Sequence, residues 1–205
     1  MLNRTKGCLV LALLVATGFA GTLNNSAPTI EERKAVISSL KENKLSLQKK
    51  LKGLSEKQLR FKPSSGSESI SDQVIHLAAI ETNAWQLLES AMLKPAEAGE
   101  RELLTYKEDV DLVKSLGEPG QGDPGCLSAR PSWHNLLEAA SAFRQSRLTH
   151  LKFIRNTTAD LRNHIVQTPV GTLDCYQVLL WVSVHADKHL AAIDKILSDP
   201  QFPSR

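Results

Sequence analysis

The fold is decided by Leu173-Asp-Cys-Tyr-Gln-Val-Leu-Leu-Trp-Val-Ser-Val-His-Ala-Asp-Lys-His-Leu-Ala-Ala-Ile-Asp-Lys-Ile-Leu197, a run without proline or glycine that reads as one long helix. At helical spacing Val178, Val182, His185, His189, Ala192 and Ile196 fall into a single row. His185 and His189 are therefore one turn apart on an otherwise aliphatic face. Two imidazoles at that spacing can grip one metal ion, and a buried imidazole needs a hydrogen bond or a metal in any case. Whatever completes such a site has to come from elsewhere in the chain.

Working back from this helix, Asp160-Leu-Arg-Asn-His-Ile-Val-Gln-Thr-Pro-Val-Gly171 reads as a connector with some extended character. Before it, Ser132 is placed as the cap of a helix lined by Leu136, Leu137, Ala140, Phe143, Arg147, Leu148, Leu151 and Ile154, which ends at Asn156-Thr-Thr. Gly117-Glu-Pro-Gly-Gln-Gly-Asp-Pro-Gly125 is too rich in breakers for regular structure, and residues 94–131 read as a long crossover with a short helix over Glu100–Leu116. A second helix opens at Ser69, with Asp72 as capping-box partner, and runs to about Leu93. His76 sits on the edge of its apolar face of Val74, Leu77, Ile80, Ala84, Leu87 and Leu88. Ser55–Pro63 is a short helical turn stopped by proline. The first helix is capped by Thr29, carries Glu31 and Glu32 in its first turn, and is closed by Gly53. Four long helices with one long middle connection describe an all-α four-helix bundle with a crossover between helices 2 and 3.

The 205 residues, 41% hydrophobic and 23% charged, suit one domain with one good core. The formal net charge is +3. No basic stripe with interleaved aromatics is present, so nucleic-acid binding is set aside. Arg4 and Lys6 precede a fourteen-residue run of apolar and small residues, Gly7–Ala20, the pattern of a secretory signal peptide cleaved after Ala20. A spanning helix would want about 20 apolar residues, so a cleaved leader is favoured over an anchor. Residues 21–28 are a linker, and residues 29–199 the folded domain, placed in the periplasm or secreted. An oxidising compartment permits a disulfide between Cys126 and Cys175; two unpaired thiols are the alternative.

Three segments in their order resemble the DinB-like (damage-inducible) four-helix-bundle superfamily over residues 34–197. They are Leu54-Ser-Glu-Lys-Gln-Leu-Arg-Phe-Lys-Pro63, Ser69-Ile-Ser-Asp-Gln-Val-Ile-His76-Leu-Ala-Ala-Ile-Glu81, and Pro169-Val-Gly171-Thr-Leu leading into His185-Ala-Asp-Lys-His189. Where the family carries a Trp before the second helix, this chain has Glu68 or Ser69. The resemblance implies one divalent metal, zinc, nickel or iron, held by His76, His185 and His189, with remaining positions open to water. Some relatives are thiol-dependent transferases or isomerases. A metal-dependent transferase or hydrolase acting on a small molecule is therefore expected, with a metal-free bundle serving as a binding or stress-response module as the rival. A homodimer through an exposed helix face is compatible with either.

The remaining polar residues carry blander expectations. Glu81, about 140° round the helix from His76, reads as a surface group or a support behind the ligands. Asp187 reads as a solvated charge, and His134 and His150 as surface or boundary residues. His164 is a further polar group for the cavity. Arg147 either lines a cavity or snorkels to solvent, the second being preferred. Trp85, Trp133 and Trp181 read as core or rim packing.

Overall fold

The computed structural model describes residues 27–96, 98–118, 133 and 135–204. Six α-helices carry it: α1 (Ile30–Leu51), α2 (Glu56–Leu59), α3 (Ile70–Met92), α4 (Asp109–Gly117), α5 (Leu136–Asn156) and α6 (Cys175–Leu197). Their starts follow from side-chain chemistry. Thr29, Ser55, Ser69 and Asp174 each accept the third backbone N–H of the helix they open. The residue at that third position (Glu32, Gln58, Asp72 and Gln177) bonds back, giving four capping boxes. At the other end of α1, Lys49 and Lys50 favour the carbonyl end of the dipole, and the chain turns away through Gly53 at φ 74°.

Two starts differ from the sequence pattern. The cap of α5 is Asn135, whose side chain accepts from the Glu138 N–H at 3.0 Å. Ser132, the expected cap, lies outside the described residues, as do the signal-peptide segment, Cys126 and His134. The single short helix expected over Glu100–Leu116 is instead a 3-10 turn (Ala98–Leu103) and α4, parted at Thr105. Docking of Thr105 on the following half explains the break: its N–H donates to the Thr172 carbonyl at 2.9 Å, and its Oγ1 accepts from the Thr172 N–H at 2.8 Å.

Thr172 belongs to a feature that periodicity did not resolve. The connector is a β-hairpin, β1 (Ile165–Thr168) against β2 (Gly171–Asp174), antiparallel with Thr168 opposite Gly171 and Ile165 opposite Asp174. Gly171 adopts φ +120°, and a Cβ there would meet Thr105 Oγ1 at 2.4 Å, so only glycine fits. The strand then runs directly into α6, which begins at Cys175 rather than Leu173.

The four long helices pack across the chain's halves: α1 and α3 each lie against both α5 and α6, and α4 covers part of α6. One apolar layer gathers Leu40, Ile80, Leu88, Ile154, Tyr176 and Trp181; a second gathers Leu47, Ile70, Leu77, Phe143 and Ile193. Each such side chain contributes about 1.5–3 kcal/mol on leaving water. Trp85 and Trp133 pack at the edges of these layers and Trp181 within one, in keeping with packing roles. Arg162 ties one end together. Its guanidinium bonds Glu32 of α1, Asp109 of α4 at 2.7 Å and Asp174 at the α6 cap at 3.1 Å, and lies 4.1 Å over the Tyr176 ring. Cys175 is a buried free thiol, its pKa pushed up to about 12 by burial and by the Asp174 carboxylate.

Arg147 does not snorkel. It is wholly buried at 0% exposure and ion-paired to Glu81 at 2.5 Å. It also donates to the Val182 carbonyl of α6 at 3.0 Å and to Asn43 Oδ1 of α1 at 3.4 Å. One cation thus touches all four long helices. Glu81 and His150 are likewise corrected from surface positions: each is 1% exposed, with His150 Nδ1 3.1 Å from the Glu81 carboxylate and its ring 4.9 Å from that of Trp85. A lone arginine in an apolar row is costly to bury, and the carboxylate that makes burial tolerable comes from another helix.

Candidate metal centre

α3 and α6 bring the three expected ligands together. His76 stands on α3, and His185 and His189 stand one turn apart on α6. His76 Nε2 lies 3.3 Å from His185 Nε2, and His189 Nε2 lies 3.2 Å from His185 Nε2. One ligand atom from each of the three residues lies within 4.8 Å of the others. Ring centroids are 4.4–5.1 Å apart, tilted by 40–49°, so the rings converge at their tips rather than stacking. His185 is buried at 4% exposure, and the Trp181 ring, one turn earlier on α6, meets its ring edge-on at 6.5 Å.

An imidazole nitrogen carries either one hydrogen or one lone pair. His185 Nε2 has two nitrogen neighbours at contact distance and can serve only one of them with either. A cation at the centre serves all three lone pairs at once. The spacing agrees: metal–nitrogen bonds of about 2.0–2.1 Å at tetrahedral angles put neighbouring nitrogens roughly 3.3–3.4 Å apart. Among the described residues this cluster contains three ligand-type side chains, the number that leaves a tetrahedral ion one position open.

The cluster has a support the sequence did not announce. Gln73, one turn before His76 on α3, places its Oε1 against His189 Nδ1 in a short contact, and its Nε2 donates to Glu68 Oε2 at 2.6 Å. A glutamine near the start of a helix is expected to face solvent; the fold shows Gln73 buried at 7% exposure. Asp187, between the two α6 histidines, is exposed as expected, yet its Oδ1 also accepts from Asn43 Nδ2 at 2.5 Å. His164 stands apart from the cluster. Its Nδ1 lies 2.6 Å from the Asp160 carbonyl and its Nε2 3.1 Å from the Lys94 carbonyl, so it ties the segment just after α3 to the stretch that leads from α5 into β1.

Comparison with known proteins adds one finding. No curated protein and no solved structure matches the chain. A family model described as the DinB superfamily does match, over residues 40–193, a span that takes in α3 and α5 whole, the second half of α1, α6 up to its last turn, and all three clustered histidines. By its sequence over three quarters of its length, and with a helical bundle to match, the chain belongs to the DinB superfamily.

Proposed function

We propose that His76, His185 and His189 hold one divalent metal ion, zinc, nickel or iron, and that the domain works as a metal-dependent transferase or hydrolase on a small molecule. The observation that carries the proposal is the convergence of three imidazoles: His185 Nε2 lies 3.3 Å from His76 Nε2 and 3.2 Å from His189 Nε2, the nitrogen spacing that a shared metal ion sets. Such an ion, with a coordination position open, lowers the pKa of a bound water or thiol and polarises a substrate oxygen. The chain's own part is to supply three neutral nitrogens from two rigid helices, with Trp181 packed at the inner side of His185. Rigid placement matters because catalytic metal sites tolerate little misplacement of their ligands.

We further propose that the protein acts outside the cytoplasm, in the periplasm or beyond. Support comes from Arg4, Lys6 and the apolar run to Ala20, the pattern of a leader. No helix among the described residues is long and apolar enough to cross a membrane.

The test is elemental mass spectrometry of the purified protein beside a His185→Ala, His189→Ala double variant. About one equivalent of metal is expected in the native protein and none in the variant, with helicity by circular dichroism unchanged. Absence of metal from the native protein, even after incubation with zinc and nickel, would point to a metal-free bundle and sink the proposal.

A further inference from the structure

The contact between Gln73 and His189 fixes more than a distance. A carboxylate only accepts hydrogen bonds, so Glu68 Oε2, 2.6 Å from Gln73 Nε2, holds the amide with its NH2 group outward and its carbonyl inward. Flipping the amide would set its oxygen against the Glu68 carboxylate, two acceptors at hydrogen-bond distance, so the network itself selects the orientation. The inward Oε1 also only accepts, and it faces His189 Nδ1. The ring proton of His189 therefore sits on Nδ1. In the neutral ring, Nε2 is left with its lone pair, and Nε2 is the atom turned toward His185.

We infer that Glu68 and Gln73 form a positioning relay that sets the tautomer of His189 and strengthens its grip on a divalent cation. The affinity half of this inference rests on the metal proposal above; the tautomer half does not. Ligand histidines usually donate their second N–H to a carboxylate, carbonyl or water, which orients the ring and makes it a better donor. Here the acceptor is an amide carbonyl polarised from behind by a carboxylate. Two positions from the start of one helix thereby act on a ligand carried by another. Gln73 is the member with leverage, being buried and in contact with the ring. Glu68 is exposed, so solvent and salt screen its share.

Two measurements on the full chain test the relay. The first is the ring tautomer of His189 in the metal-free protein, read from long-range nitrogen–proton NMR correlations. The second is zinc affinity by competition with a chromophoric chelator. In the native protein the ring is expected as the Nδ1–H tautomer. Gln73→Leu should abolish that preference and weaken zinc binding about 10–100-fold. Glu68→Gln should weaken it by less than Gln73→Leu does. Gln73→Glu, which sets a carboxylate directly at Nδ1, should keep the tautomer and bind zinc at least as tightly as the native protein. It also guards against a Gln73→Leu effect that comes only from poor folding.

Equal zinc affinity in Gln73→Leu and the native protein would overturn the relay, as would a native His189 ring protonated on Nε2. If the native protein takes up no zinc while His189 shows the Nδ1–H tautomer, the metal proposal and the affinity half fall together and the tautomer assignment stands. The two failures are thus distinguishable.

Discussion

Two polar clusters sit in one bundle and are built on opposite terms. Around His150 the chain supplies its own counter-charges: Glu81 faces both Arg147 and His150, and Arg147 is further held by Val182 and Asn43. Around His185 the ligand-type group found among the described residues consists of three imidazoles. The first cluster is neutralised from within; in the function proposed above, the second takes its positive charge from a bound ion. A polar residue in an apolar row therefore has two very different meanings. The deciding factor is whether a partner of opposite charge comes from another helix.

The largest expected effect breaks the self-sufficient cluster. Arg147→Ala leaves the Glu81 carboxylate buried without its cation, and denaturant unfolding should show a loss of about 3–5 kcal/mol. Replacing both partners, Arg147→Met with Glu81→Leu, should recover most of it, because apolar pairs of similar size replace buried ion pairs at little cost. A double variant as unstable as Arg147→Ala would mean the arginine acts through Val182 and Asn43 rather than through Glu81.

The second cluster should behave in reverse. His185→Leu should leave the metal-free protein about as stable as native, since it sets an apolar side chain of similar size in an otherwise apolar row. What it should lose is stabilisation by zinc, about 2.7 kcal/mol in the native protein when free zinc stands at 100 times its Kd. Thermal melts with and without zinc read both quantities at once. A large loss of metal-free stability would make the histidines structural members like His150.

Gly171→Ala is a control that should touch both clusters equally, because the hairpin launches the helix that carries Val182 and His185. A Cβ at φ +120° against Thr105 should cost about 1–3 kcal/mol of global stability, with zinc affinity of the folded protein unchanged. The smallest effect is expected at Cys175. With its pKa pushed up to about 12 and its side chain buried, the thiol should resist alkylation at pH 8 in the native protein and in His185→Leu. In Arg147→Ala it should react faster, at the rate set by global opening. Site-resolved mass spectrometry distinguishes the cases.

How much of this the sequence shows depends on whether one helix or two carry the information. His185 and His189 are legible because a single helix defines their spacing and a single row their burial. The all-α class, the caps at Thr29 and Ser69, and the position of His76 are legible for the same reason. Arg147 lies in just such a row, and periodicity does place it inward. Its role is hidden because Glu81 lies on another helix, so the lone cation looks too costly to bury. Gln73 is hidden likewise: its partner on α6 is 116 positions away. The hairpin escapes because strands of four residues carry too little alternation to register, and its stabilising partner, Thr105, comes from the other half of the chain.

That exchange of partners between halves bears on how the molecule comes into being. α1 and α3 both rest on α5 and α6, so the first half to leave the ribosome finds its packing surface only in the second half. Contacts of such long sequence separation slow folding relative to a bundle whose successive helices pair as they emerge. α6, the helix that carries two of the three histidines and completes both apolar layers, is made last. Until then the nascent chain has no closed core, a delay that would suit the export proposed above.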